Sequence, residues 1–496
     1  MTGSGSPMSR VDTAWLRMDS DVNLMMIVGV WLLRPALRYR DLCRRIRERL
    51  LKYERFRQKV VPGALGSTWV EDDDFDLRRH VVVEKLARRR GQGEHEALQQ
   101  RMGELASLPL DPARPLWQFQ LIEHHAGGSA LICRIHHCIG DGVALNSVMM
   151  SLADDGATPP ELSRLQADPH ETHLEDWVAD ELLGPLTGLT VQAIGLAGNG
   201  VVQALRAVEQ PRRAWTDAAG LVRHGRHLLA DVAAFALMRD DSPTRLKGHG
   251  NGRKVVAWCE PLPLAEVKAV GKALGATVND VLLSSAAGAI GRWLADTGDK
   301  PAGKDIRALV PVNLRPLEEA WQLGNRFGLV PLLLPVGVAN PLRRLRLVHR
   351  RMKALKGSFQ PLLSYGILGF SGLLVQRAQA ALSRLFLDKT TAVMTNVPGP
   401  GQALKLCGAT VRQSIFWVPA SGDVGVGVSI ISYAGGVQFG LITDEQLCPE
   451  PGAISERFAR EFEQLLLLTL MLPWPDLQAP AVAAAGVKPA SAMAAR

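Results

Sequence analysis

The sequence predicts a mixed α/β (α+β) chain of two similar-sized domains. Three observations carry this. The chain has 496 residues, which is long for one compact domain and natural for two. Short β-type runs and amphipathic helices mix in both halves of it. Between about residues 155 and 250 the pattern changes to weakly periodic apolar stretches broken by proline and glycine.

In the first half, Val22 to Leu33 reads as a buried strand. Asp12, Asp19 and Asp21 precede it where a signal peptide would carry positive charge, and no small-residue cleavage site follows. Leu42, Ile46 and Leu50 recur every four residues among Arg and Glu, an amphipathic helix. Val81 to Leu86, Trp117 to Glu123 and Leu131 to His137 read as strands, and Gly142 to Leu152 as a helix. In the second half, Val255 to Cys259 reads as a strand and Leu264 to Leu274 as a helix. Thr277, with Asp280 three positions on, makes a capping box opening a helix to about Leu294. Strands follow near Ile306 to Pro311, Leu329 to Leu334, Ala392 to Asn396, Val424 to Tyr433 and Val437 to Ile442.

The division expected is a disordered Gly/Ser-rich start (1–7), a first domain (8–160), a helical connection (161–250), a second domain (251–477) and a disordered Ala-rich tail (478–496). Leu182 to Leu205 is uncharged and long enough to span a bilayer. Pro185, five glycines, two glutamines and Asn199 argue against a spanning helix there, and Leu362 to Val375 is too short. Such segments suit interfacial contact or domain packing.

Lys plus Arg number 57 against 49 acidic residues, a net charge of +8. This excess favours anionic partners: a membrane face or a phosphate-bearing substrate. Aromatic content is 5% and no interleaved basic-aromatic stretch occurs, so nucleic acid is not expected. Six cysteines without a C-x-x-C pair do not form a disulfide framework and read as buried thiols.

Chemistry concentrates in His136-His137-Cys138-Ile139-Gly140-Asp141-Gly142. Side chains alternate along a strand, so the two histidines point to opposite faces and only one can meet a given cleft. Gly140 to Gly142 makes a turn, with Asp141 suited to cap the next helix. A histidine at a strand end can take a proton from a hydroxyl as it attacks a carbonyl, an effect of about 10²–10⁴-fold. With a thiol leaving group of pKa about 8.5, no nucleophilic serine or cysteine is needed, and no G-x-S-x-G elbow is present. Two other readings stand beside this: a satisfied strand-end histidine, and a metal site. Neighbouring histidines on opposite faces chelate one ion poorly, and no further His or Cys cluster is visible, so no metal is expected.

The run His-His-x-x-x-Asp-Gly resembles the motif of the CoA-dependent acyltransferase superfamily, which includes chloramphenicol acetyltransferase-like enzymes and peptide-synthetase condensation domains. From about Ser9 to Pro473 the chain resembles the bacterial wax ester synthase/acyl-CoA:diacylglycerol acyltransferase family. The blocks that carry it run in order: Val11-Asp12-Thr13-Ala14-Trp15, Trp69-Val70, Phe75-Asp76-Leu77, Pro115-Leu116-Trp117, the histidine run, Asn279-Asp280-Val281-Leu282, Val310 to Arg315, Gly324-Asn325 and Thr395-Asn396-Val397-Pro398-Gly399-Pro400.

The resemblance implies two chloramphenicol acetyltransferase-like domains, each a mixed sheet flanked by helices, with a tunnel between them. His137 would be the general base, His136 a supporting neighbour, Asp141 a structural residue held by an arginine, and Gly142 a turn residue. Asn279 and Asp280 would shape the opposite side of the site. Pro115, Leu116, Trp117, Asn396, Pro398 and Gly399 would shape pocket or scaffold. It implies acyl transfer from long-chain acyl-CoA, a co-substrate, to diacylglycerol or a fatty alcohol, with no resident cofactor. Basic residues would receive the CoA phosphates. The expected location is cytoplasmic, peripheral on the inner face of the plasma membrane or on a lipid droplet. A carrier-protein-dependent condensation enzyme and a non-catalytic lipid-binding protein of the same fold are the alternatives.

Overall fold

The computed structural model describes residues 5–63, 66–156, 240–315, 322–356, 389–419 and 424–472, with five single positions between 364 and 379. The first half runs β1 (Ser6–Pro7), α1 (Arg10–Arg17), β2 (Met26–Arg34), α2 (Tyr39–Glu48), β3 (Gln58–Gly63), β4 (Gly66–Glu71), α3 (Leu77–His80), β5 (Val81–Glu84), α4 (Glu94–Ala106), β6 (Trp117–His125), β7 (Gly128–His136) and α5 (Gly142–Leu152). The second half runs β8 (Lys254–Trp258), β9 (Leu262–Pro263), α6 (Leu264–Leu274), α7 (Val278–Asp296), β10 (Ile306–Asn313), β11 (Phe327–Leu334) and α8 (Pro341–Lys356). It continues with β12 (Ala392–Pro398), β13 (Lys405–Leu406), β14 (Ala409–Trp417), β15 (Val426–Tyr433), β16 (Gly436–Asp444) and α9 (Pro451–Leu470).

Two mixed sheets dominate. One has the order β13-β14-β2-β7-β6-β5; the other runs β11-β10-β12-β15-β16-β8, with β9 added against β16. The helices cover them as the fold class predicts. The second core is built on α7, whose inner turns are buried nearly all round from Asp280 to Leu294. Thr277 and Asp280 close the predicted capping box, Thr277 Oγ1 accepting from the Asp280 amide (3.2 Å) and Asp280 Oδ2 from the Thr277 amide (2.9 Å). Gly291 lets the neighbouring loop press against α7, since a Cβ there would lie 2.0 Å from the Val336 carbonyl oxygen.

Several findings differ from the sequence reading. Ser6 and Pro7 are not part of a disordered start: they pair with Trp69 and Thr68 of β4, because backbone pairing needs no apolar side chain. The division at about residue 250 is crossed by β14, which runs antiparallel to β2 in the first sheet before the chain returns to the second. A shared core of Met26, Val28, Ile132, Val256, Trp258, Ile415 and Trp417 seals the two sheets together. The expected helical connection falls largely at 157–239 and the expected tail at 478–496, both outside the described residues. So do Leu182 to Leu205 and most of 362–375.

None of the six cysteines is disulfide-bonded; Cys259 and Cys407 are half-buried and the other four buried. Among the described residues no single helix is long and apolar enough to cross a membrane. α6 and α7 together meet the length and composition of a span but are bent by 98°.

Candidate active site

Strand β7 is buried along its whole length and delivers the two histidines at its end. His137 continues the strand pattern, its amide donating to the Met25 carbonyl (2.7 Å), so the two rings diverge as alternation requires. His136 accepts the Cys138 amide at Nδ1 (3.1 Å) and turns Nε2 toward Asp19 (3.2 Å). Against the effect of burial, Cys138 and the Asp19 carboxylate hold the His136 pKa up, to about 10, and both ring nitrogens are engaged.

His137 is 3% exposed and its ring lies flat on Trp15, centroids 4.3 Å apart. Its Nδ1 is 2.7 Å from Asn325 Oδ1. The orientation of Asn325 is fixed by its amide, which donates to Asp12 Oδ1 (2.8 Å) and to the His137 carbonyl (2.7 Å), both acceptors only. Asn325 can then only accept from His137, so Nδ1 carries the proton and Nε2 keeps the lone pair. Asp12 is held in turn by Arg55 (3.1 Å), which also donates to the Ile139 carbonyl (2.8 Å). Burial drives the His137 pKa down to about 4, with the Asp141 charge and the Asn325 bond pulling the other way. The ring is neutral at neutral pH.

Asp141 caps α5 by accepting the Ala144 amide (2.9 Å). Its carboxylate also accepts the Arg326 amide (2.9 Å) and faces the Arg315 guanidinium (3.2 Å). Arg315 is the arginine the sequence could not assign, and it also donates to the Gly324 carbonyl (2.7 Å). A bridge between Gly140 and Gly324 completes the clamp. Thus one carboxylate fixes the stretch 324–326 that presents Asn325 to His137.

Beside this centre is a small apolar cleft lined by residues including Ile27, Ile135, Gly142, Leu145, Met149 and Phe416. Ile135 lies two residues before His137, hence on the same face of β7. Gly142 was expected as a turn residue, and the structure corrects this. It is the first residue of α5 without a positive φ, and a Cβ there would meet only Phe416, at 4.0 Å. Its missing side chain leaves space in the cleft.

The wax ester synthase/diacylglycerol acyltransferase catalytic domain matches residues 8–282, and the WS/DGAT C-terminal domain matches 323–466. The chain belongs to the wax ester synthase/diacylglycerol acyltransferase family. A probable diacylglycerol O-acyltransferase of Mycobacterium tuberculosis is 28% identical over 82% of this chain and 84% of that protein. Another from the same species, a putative diacylglycerol O-acyltransferase, is 31% identical over 70% and 71%. In fold, the chain is similar to the wax ester synthase/diacylglycerol acyltransferase from Marinobacter aquaeolei, with TM-score 0.61, 19% identity, and coverage of 94% of this chain and 100% of that one. It is also similar to the first condensation domain of a calcium-dependent antibiotic synthetase, with TM-score 0.54, 15% identity and coverage of 94% and 97%.

The remaining blocks of this acyltransferase family take distinct places. Asn279 and Asn396 meet, the Asn396 amide donating to Asn279 Oδ1 (2.9 Å). β10 and β12 run parallel with Leu309 beside Val393, so Asn396 emerges at the same end of the second sheet as Asn313 and its partner Phe327, two residues from Asn325. Asp280 is turned away: its carboxylate is occupied by the Thr277 amide and by His349 Nδ1 (2.7 Å), a helix-start role. Leu116 accepts the His136 amide (2.9 Å), and Trp117 donates to the Phe56 carbonyl (2.9 Å) under the His80 ring. These bonds make Pro115 to Trp117 a support for the histidine strand. Gly399 allows Pro398 and its neighbours to lie against β15, as a Cβ would sit 2.5 Å from the Ser432 carbonyl oxygen.

Asp12, Trp15, Arg55, Arg315 and Asn325 were not singled out as site residues from the sequence. The signal available was slight: Asp12, Trp15, Arg315 and Asn325 fall in the ordered blocks, and nothing local links them to residue 137.

Proposed function

We propose that the protein transfers a fatty acyl group from acyl-CoA to the hydroxyl of diacylglycerol or a long-chain alcohol, in one ternary complex, with His137 as general base. The observation that carries this reading is the tautomer imposed by Asn325, which leaves His137 Nε2 unprotonated. Nε2 takes the acceptor's hydroxyl proton as the oxygen attacks the thioester carbonyl. The tetrahedral oxyanion collapses, the C–S bond breaks, and the proton on Nε2 goes to the departing CoA thiolate. The apolar cleft on the same face suits a hydrocarbon tail. Acyl-CoA is a co-substrate here, and the proposal calls on no resident cofactor. Since diacylglycerol resides in membranes, it includes peripheral attachment at the cytoplasmic face of a membrane or at a lipid droplet.

The test is release of free CoA thiol by the purified protein with long-chain acyl-CoA, with and without diacylglycerol or a long-chain alcohol. Acceptor-dependent release is expected. Release that requires a carrier-protein thioester in place of acyl-CoA points to a condensation-type enzyme. No release with any donor leaves a lipid-binding protein. A burst of thiol before acceptor is added overturns the ternary-complex mechanism.

Asn325 gives a second prediction. Asn325→Ala removes a bond of about 1–3 kcal/mol from the base, which corresponds to a kcat loss of roughly 10–100-fold. The Asn325 bond raises the His137 pKa, so its loss moves the acid limb of kcat/KM to lower pH. KM for acyl-CoA is expected to hold. An unmoved acid limb with only a lower Tm would make Asn325 structural.

A further inference from the structure

The helical layer over the second sheet has one end whose surface matches no need of a protein facing water alone. α8 presents Arg343, Arg346, Arg350 and Lys353 to solvent, spaced 3, 4 and 3 apart and hence on one helix face, while Leu345 and Val348 point into the core. Among the described residues, none of these four cations has an ion-pair partner, whereas the neighbouring Arg344 and Arg351 are paired with Glu461 and Asp305. Lys272, in the last turn of α6, is likewise exposed and unpaired among the described residues.

The apolar part comes from the end of α9 and the two residues that follow it. Leu467, Leu470, Met471 and Leu472 are 60, 54, 81 and 40% exposed, and no charged residue occurs from Gln464 to Leu472. Large apolar side chains bare in sequence neighbours at a helix end mark a contact surface more than random exposure does.

The ion pairs fix how these pieces are assembled. α7 runs antiparallel to α8, because Asp280 meets His349 (2.7 Å) while Ser284 accepts from Arg344 (2.9 Å). It also runs antiparallel to α9, because Arg292 meets Glu461 while Asp296 meets Arg457 (2.6 Å). The carboxyl ends of α8 and α9 therefore flank the amino end of α7, and α6 leads into that same end through Gly275. Lys272, Arg350, Lys353 and the four exposed apolar side chains share one end of the layer. Asn279, which holds Asn396, is there too. The acidic groups facing it are Asp280, buried against His349, and the exposed Glu463.

We infer that this end of the layer docks on the surface of an anionic phospholipid bilayer, with the apolar side chains dipping below the headgroups and the α8 and α6 cations resting among lipid phosphates. Cations alone would suit any polyanion; cations around bare leucine and methionine suit a surface that is charged outside and apolar just beneath. The inference rests on the proposed acyl transfer only in giving the docking a purpose: it sets the Asn279–Asn396 end of the sheet toward the membrane that holds the acceptor.

The test uses the full-length protein and sedimentation with vesicles of phosphatidylcholine, with or without phosphatidylglycerol. Wild type is expected to bind the phosphatidylglycerol vesicles and to be released by salt. Lys272→Gln/Arg350→Gln/Lys353→Gln is expected to weaken that binding by at least about tenfold. Leu467→Ser/Leu470→Ser/Met471→Ser is expected to weaken it while keeping the preference for anionic lipid. Both variants change exposed side chains, so the wild-type Tm and activity toward a soluble short-chain alcohol are expected to persist, which separates this inference from the acyl-transfer reading. Wild type that ignores anionic vesicles, or variants that bind as wild type does, overturn it. A charge variant with unchanged vesicle binding but raised KM for acyl-CoA would assign the cations to CoA instead and overturn it as well.

Discussion

Replacing His137 with alanine is expected to lower kcat by about 10²–10⁴-fold, the range for loss of a positioned general base. Among the described residues, nothing else around the Asn325 centre can substitute. His136 lies on the other strand face with both nitrogens engaged, by Cys138 and Asp19. Asp12 and Asp141 are committed to Asn325, Arg55 and Arg315. The measurement is acceptor-dependent thiol release at saturating acyl-CoA, with circular dichroism to show that the variant folds. A folded His137→Ala protein retaining most of its kcat would remove the base assignment. In the wild type, kcat/KM is expected to hold from neutral pH down through the ordinary histidine range and to fall only as pH approaches 4, where the buried ring takes its second proton. The sign follows from burial: a lowered pKa keeps the lone pair available to lower pH.

The largest stability effect is expected at Asp141. Asp141→Ala leaves the Arg315 guanidinium, 3% exposed, without its counter-charge. It also uncaps α5 and frees the Arg326 amide. Breaking one partner of a buried pair costs about 3–5 kcal/mol. Because the same carboxylate holds residues 324–326, activity is expected to fall with stability. Equilibrium denaturation reads the first and thiol release the second. Asp141→Ala/Arg315→Leu, which removes the stranded charge as well, is expected to recover part of the stability but not the activity. An Asp141→Ala protein within about 1 kcal/mol of wild type would show that the clamp is not what holds the loop.

Much of this was legible because it is local. α5 and α6 span the residues read as helices, Gly142–Leu152 and Leu264–Leu274, and Thr277 with Asp280 forms the box its spacing announces. Alternation alone separated the faces of His136 and His137. What was not legible depends on distance along the chain. Trp31 donates to Ser414 across 383 positions, and no pattern near either residue reveals that β14 belongs beside β2. Asn325 and Arg315 are 188 and 174 residues from the groups they fix, so their roles appear only once the sheets are assembled. α9 is a different omission: Ile454, Phe458, Phe462 and Leu465 carry a plain helical period, and the helix went unread although its signal was present.

The placement of β14 bears on how the molecule is made. Until Ala409–Trp417 has left the ribosome, β2 has β7 on one side and no strand on the other. Until then the first sheet carries an open apolar edge, able to recruit another nascent chain. Completion of that sheet waits on β14, which follows three strands of the second sheet, β10 to β12, so the two halves mature as one unit.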